Sequence, residues 1–107
     1  MGRRIGYATL AVLRAIQNGA QYGLDIMDAT GLPSGTVYPT LTRMEARGFV
    51  RGVWEPAGVA EREGRPRRRY YRLTAAGEVE VAEAVRFYGE LGGGQWRGGM
   101  APEEGSV

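Results

Sequence analysis

The sequence predicts a mainly α-helical fold with one small β-hairpin, an α+β arrangement in a single chain of 107 residues. Three observations predict it. Up to Gly48, apolar residues recur at helical spacing in three short segments separated by Gly-containing turns. From Phe49 to Leu73 the period changes to two runs rich in aromatic and β-branched residues, with a Pro- and Gly-bearing loop between them. After Thr74 a long helical pattern returns.

In the first segment Ile5, Val12 and Ile16, flanked by Ala8, Leu13 and Ala15, make the apolar face of a helix. Tyr7, Ala11, Arg14 and Gln17 sit opposite. Asn18-Gly19 stops it. A second short helix spans Tyr22 to Thr30, with Tyr22, Ile26 and Ala29 inward, Asp25 and Asp28 outward, and Gly31 as its stop. The turn Gly31-Leu32-Pro33 leads into a third, Ser34 to Arg47, in which Ser34 is placed to cap the first free N–H groups and Gly48 to end the helix. The start lies at Ser34 to Thr36, because Pro39 is tolerated in or just past the first turn and costly deeper in. Two short helices joined by a tight Gly-bearing turn make the helix-turn-helix pattern, which periodicity alone does not distinguish from any other αα-hairpin.

The third helix is the informative one. Val37, Leu41 and Met44 form a single apolar stripe, while the other side carries Thr36, Pro39, Thr42, Arg43 and Ala46. A core helix is apolar more broadly, and a solvated one carries more Glu and Lys. A narrow buried stripe with a compact, uncharged-to-basic outer face suits a DNA groove.

Phe49 to Glu55 reads as a strand and Pro56 to Pro66 as a loop. Arg67 to Leu73 reads as a second strand, with Arg69, Tyr71 and Leu73 on one face and Arg68, Tyr70 and Arg72 on the other. The two pair as an antiparallel hairpin with a basic tip. Arg65, Arg67, Arg68 and Arg69 fall within five positions, a self-repelling cluster that an anion such as phosphate would offset. Thr74 caps a last helix reaching about Leu91, with Glu78, Glu80, Glu83, Arg86 and Glu90 on one side and Val81, Ala84, Val85, Tyr88 and Leu91 on the other. Val79–Val85 is expected to pack within the chain. The far end, with Tyr88 and Leu91, outreaches so small a core, and a second copy of the same helix is the default partner. Gly92-Gly93-Gly94 ends it, and the tail to Val107 is too poor in apolar groups to order itself; Trp96 is the exception, a candidate for the dimer surface.

Charge is unevenly placed. Residues 43–72 carry nine Arg against four Glu, a net +5, and residues 74–107 two Arg against six Glu, a net −4. One face of such a molecule suits polyanions. Cys and His are absent, which removes the thiol nucleophile, disulfides, the commonest acid–base group and the best metal ligands, and weighs against an enzyme or a metal site. No stretch reaches about 18 apolar residues and the N-terminal segment is amphipathic, so neither a membrane span nor a signal peptide is expected.

Specific residues go further. Tyr22-Gly23, then Leu32-Pro33-Ser34-Gly35-Thr36-Val37-Tyr38-Pro39-Thr40-Leu41, then Met44-Glu45-Ala46-Arg47-Gly48-Phe49-Val50, and finally Gly64-Arg65-Pro66-Arg67-Arg68-Arg69-Tyr70-Tyr71-Arg72-Leu73-Thr74-Ala75-Ala76-Gly77 resemble the PadR family of bacterial transcriptional repressors. The resemblance spans residues 5 to about 90. It implies a winged helix-turn-helix DNA-binding domain over residues 1–73, a C-terminal dimerisation helix over 74–91 and a flexible tail over 92–107, as in the short subgroup with a single C-terminal helix. It implies a cytoplasmic homodimer on a pseudo-palindromic operator in double-stranded DNA. The residues it places near DNA are Tyr22, Ser34, Gly35, Thr36, Tyr38, Pro39, Thr40 and Arg43, with Arg65, Arg67 and Arg68 at the wing tip. Ile5 and Leu10 of the first helix and Val81, Val85, Tyr88 and Leu91 of the last fall at the implied dimer interface. Some members of that subgroup hold a flat aromatic effector between the dimer's helices, for which Phe87, Tyr88 and Trp96 are the candidates here. No cofactor is implied. The competing reading is a winged-helix module that docks another protein through the Thr/Pro/Ala face of the third helix, without specific DNA binding; the arginine-rich hairpin argues against it.

Overall fold

The computed structural model describes residues 4–92, with side chains to residue 89. In order come α1 (Tyr7–Gln17), α2 (Gly23–Thr30), α3 (Ser34–Ala46), β1 (Val50–Trp54), α4 (Val59–Glu63), β2 (Arg69–Leu73) and α5 (Ala75–Gly92). This is a winged helix-turn-helix with a further C-terminal helix.

The core forms around α1. Its Leu10, Val12, Leu13, Ala15 and Ile16 are all buried, more than a single amphipathic face, because α2, α3, β2 and α5 all pack against it. Ile26 of α2, Val37, Leu41 and Met44 of α3, Val50 of β1, and Val81 and Ala84 of α5 complete the cluster. Each large side chain contributes about 1.5–3 kcal/mol on leaving water. Ala29, expected inward on α2, is exposed.

α3 begins where the turn chemistry predicts, but not by the predicted cap. Pro33 holds the cap position and no side chain bonds the free N–H groups. The Pro33 carbonyl instead accepts the N–H groups of Thr36 and Val37, at 2.9 and 3.0 Å. Ser34 is simply the first helical residue. Pro39 lies in the second turn, where its missing N–H would have met the Gly35 carbonyl. Gly35 is exposed, so that carbonyl is open to water and the omission is tolerated. After Ala46 the Phe49 N–H bonds back to the Met44 carbonyl at 2.9 Å, and the chain turns at Gly48 straight into β1.

The two strands are antiparallel in the register Val50↔Leu73, Gly52↔Tyr71 and Trp54↔Arg69 on one face, with Arg51↔Arg72 and Val53↔Tyr70 on the other. Both are shorter than the runs that predict them, because Glu55, Arg67 and Arg68 are used otherwise. Glu55 is 4 % exposed. Its carboxylate receives both terminal nitrogens of Arg65, at 2.8 and 3.0 Å, and the Arg68 N–H at 2.7 Å. Its own N–H donates to the Arg68 carbonyl at 2.9 Å, and its carbonyl accepts Nε and Nη2 of Arg67 at 3.2 and 3.1 Å. One residue thus closes the wing. The segment expected as plain loop contains α4, whose Ala60 is buried and whose end is fastened by the Arg65 N–H on the Ala60 carbonyl, 3.1 Å. A further pairing escaped the sequence: Tyr22 bridges Tyr70, and the Tyr71 N–H reaches the Gln21 carbonyl at 2.8 Å, so the entry to α2 lines the outer edge of β2.

α5 starts as predicted. The Thr74 hydroxyl oxygen accepts the Gly77 N–H at 3.0 Å and donates to the Gly48 carbonyl at 2.6 Å. Several residues expected at a dimer interface prove to belong to the chain's own core: Ile5 is 4 %, Leu10 1 % and Val81 2 % exposed. Val85 and Tyr88 pack against the same cluster, and the Tyr88 hydroxyl donates to the Ile5 carbonyl at 2.7 Å. The reason is that α1 and α5 need each other to bury their apolar stripes. Val79, expected to pack within the chain, is instead 58 % exposed. The Leu91 side chain and Trp96 lie outside the described residues.

Two consequences are measurable. A Cβ at Gly77 would run into the Phe49 carbonyl oxygen, which accepts the Thr74 N–H at 3.0 Å. Gly77→Ala is therefore expected to cost about 1–3 kcal/mol, a fall in Tm of at least ~4 °C for a chain this size; an unchanged melt would contradict the close approach. The second concerns acid. Hydrogen bonds from Arg65, opposed by burial and aided by the Arg68 N–H, hold the Glu55 carboxyl down to about 2 from its ordinary 4.5. A depressed folded-state pKa stabilises the protein above the unfolded value, and that contribution fades as pH falls from about 4.5 toward 2. Melting followed across that window should show a steeper acid loss in the wild type than in Glu55→Gln; parallel curves would show that the clamp contributes nothing.

Candidate nucleic-acid interface

α3 buries one stripe against its neighbours and leaves the rest of its surface open. Val37, Thr40, Leu41 and Met44 are buried, leaving Ser34, Gly35, Tyr38, Pro39, Thr42, Arg43, Ala46 and Arg47 exposed and Thr36 half-buried. Of the residues expected near DNA, Thr40 is the one this helix withholds. It is 2 % exposed, turned into the core by the same i, i+3, i+4 geometry that buries Val37 and Met44. Its hydroxyl accepts Arg43 Nη2 at 3.2 Å, so Thr40 orients Arg43 from beneath.

Two contacts bring α3, the start of α2 and the wing onto one continuous surface. Tyr38 lays its hydroxyl end over Gly23, where a Cβ would overlap the ring. One residue away, the Arg68 guanidinium sits 4.1 Å from the centroid of Tyr22, and Tyr22 meets Tyr70 edge to face at 5.6 Å. The Tyr22 ring is thus covered on the wing side, a platform for Arg68. A second tie runs from the other end of α3. Glu45 Oε2 accepts Arg69 Nη2 at 2.7 Å and the Gly52 N–H at 3.3 Å, fixing the hairpin against the helix.

These ties also sort the arginines. Arg65 is held by Glu55 and by Glu63 at 2.8 Å, and its side chain is only 18 % exposed. Its expected place at the wing tip is corrected: it is the strut beneath the tip. Arg69 is matched by Glu45. The guanidinium groups of Arg67 and Arg68, also expected at the tip, form no ion pair within 4.0 Å among the described residues. The same holds for Arg43, Arg47, Arg51 and Arg72. Arg51 and Arg72 were not singled out from the sequence, although they stand directly opposite each other across the hairpin. Like charges so placed cost roughly 0.2–1 kcal/mol without an anion. The alternation that puts each on the outer face was readable; their pairing needed the register. Exposed Trp54 was missed as well, lost in a segment read only for its strand propensity.

The aromatic candidates for an effector lie elsewhere, at the seam of α1 and α5. Phe87 and Tyr88 meet edge to face at 5.2 Å, Arg4 covers Phe87 at 4.7 Å, and Tyr7 abuts Tyr88 at 5.2 Å. Among the described residues no three acidic, His or Cys side chains come together as metal ligands, and no helix is long and apolar enough to cross a membrane.

The family model for "Transcriptional regulator PadR-like family" matches residues 12–83. Among solved structures, BpsR of Bordetella bronchiseptica, whose DNA binding is regulated by 6-hydroxynicotinic acid, superposes with a TM-score of 0.71 at 24 % identity, over 89 % of this chain and 67 % of its own. A PadR-like transcription factor from Bacteroides fragilis gives 0.66 at 25 % identity over 78 % and 81 %. A PadR family regulator from Clostridium difficile gives 0.66 at 24 % over 87 % and 100 %. MarR of E. coli shares the fold at a TM-score of 0.63 and 17 % identity, over 95 % and 68 %. No curated protein sequence matches. The family consists of DNA-binding regulators and not of enzymes. With the family model covering well over half of its length, the chain belongs to the PadR-like family of transcriptional regulators.

Proposed function

We propose that the chain is a sequence-specific repressor acting as a homodimer on a pseudo-palindromic operator. The observation that supports this reading is the surface on which the outer side of α3 and Arg68 of the wing meet around the start of α2, with Arg67 beside it on the wing. In the proposed complex α3 enters the major groove. Arg43, steadied by Thr40, pairs with a guanine edge, and Thr36 or Tyr38 makes a neighbouring contact, each good base contact being worth about 1–3 kcal/mol. Arg67 and Arg68 meet phosphates beside it, and they supply affinity without sequence information. The dimer forms through α5, whose Val79 is exposed and whose end lies past the core; closed two-fold pairs are the commonest assembly. An aromatic effector at the α1–α5 seam would change the angle between the two reading helices, and the ligand-regulated Bordetella relative supports that class of control.

Selection of bound sequences from a random duplex pool at about 0.15 M salt tests the whole reading. Enriched inverted repeats with half-sites about one helical turn, ~34 Å, apart are expected; unenriched binding that vanishes with salt would overturn it. Arg43→Ala should weaken the enriched site by roughly 10- to 100-fold and relax preference at one position per half-site. Arg67→Ala and Arg68→Ala should weaken all sequences alike, each lowering the slope of log K against log salt by about 0.9 per half-site. If both leave affinity and slope unchanged, the surface serves a protein partner instead.

A further inference from the structure

Trp54 ends β1 with half its surface, 50 %, in water, next to Val53 at 53 %. A single exposed apolar side chain needs no explanation, but this one is held in place. The guanidinium carbons of Arg67 and Arg69 both lie over the indole, 5.5 Å from its centroid. Each arginine is itself anchored: Arg67 through Nε and Nη2 to the Glu55 carbonyl, Arg69 through Nη2 to Glu45 of α3. Arg67 keeps Nη1 without a partner among the described residues. The indole N–H, a donor only, likewise has no acceptor among them. The wing therefore presents a rigid aromatic edge bordered by positive charge, one guanidinium away from α3.

The chemistry that fits this edge is an apolar patch lying between anionic groups, with an oxygen for the N–H. A basic partner is repelled. A duplex backbone offers what is needed, phosphates alternating with the C–H surface of deoxyribose. We propose that Trp54 is the wing's apolar contact to the duplex: its edge rests on a deoxyribose of the minor-groove wall, while the spare Nη1 of Arg67 meets a flanking phosphate. This rests on the DNA-binding reading and adds to it a residue that acts through burial, not charge. Its contribution is sequence-independent and insensitive to salt.

Trp96 is the other tryptophan, so Trp96→Phe makes Trp54 the sole indole reporter. A mixed-sequence duplex of about 30 base pairs is titrated into that variant, with binding followed separately by anisotropy of a label on the DNA. Trp54 emission is expected to be quenched in step with binding. Trp54→Ala should weaken binding about tenfold, the change that burial of part of an indole gives, with the salt slope and the Tm unchanged; Trp54→Phe should fall between. Emission unmoved by a duplex that does bind overturns the contact, as does a Trp54→Ala variant of wild-type affinity. A Trp54→Ala variant with a lowered Tm and a reduced salt slope also overturns it, since the ring would then only prop the arginines. No binding of any duplex in the anisotropy channel marks failure of the DNA-binding reading itself.

Discussion

The wing depends on one buried carboxylate. Glu55 is bound by Arg65 at both oxygens and by the Arg68 N–H, while its carbonyl takes Arg67. Without it, four arginines within five positions would repel one another at the end of a two-stranded hairpin, an element that is marginal alone. With it, Arg65 becomes scaffold, and Arg67 and Arg68 are turned outward with their charge unmatched. The same residue thus stabilises the hairpin and decides which of its cations are left without a carboxylate partner.

Glu45 plays the matching part on α3. By taking Arg69 and the Gly52 N–H it fixes the hairpin to the flank of α3, and Tyr38 over Gly23 fixes the other end of that helix to α2. Helix and wing are therefore one rigid face. Rigid positioning lowers the ordering cost of binding. It also means that the two elements move together; in the proposed homodimer a change of angle between subunits would shift both at once.

Much of this was legible beforehand, for identifiable reasons. Periodicity placed α3 and α5 because each buries a single stripe, the strands were marked by their aromatic and β-branched residues, and Thr74 caps α5 as its position foretold. The PadR resemblance rested on short segments whose physical roles are now visible: glycine at position 23 admits Tyr38, and glycine at position 77 admits the Phe49 carbonyl. The misreadings share a cause. The resemblance placed Ile5, Leu10 and Val81 at a dimer interface, whereas α1, which takes neighbours on several sides, draws them into the chain's own core, a role that cannot be inferred from any one helix. The resemblance placed Thr40 and Arg65 near DNA by position, whereas burial and a carboxylate ten residues away claim them. Pairings between distant residues, such as Tyr22 with Tyr70 or Arg51 with Arg72, are fixed by tertiary register and leave no local signal.

The central claim is that α3, the start of α2 and the hairpin form one duplex-facing surface. Amide shift mapping during titration with the pool-enriched duplex tests it most directly. The account predicts the largest changes over residues 34–47, at Tyr22 and Gly23, and along 51–54 and 67–72, in one concerted transition. Changes confined to α1 and α5, or a hairpin that stays silent while α3 responds, would contradict it.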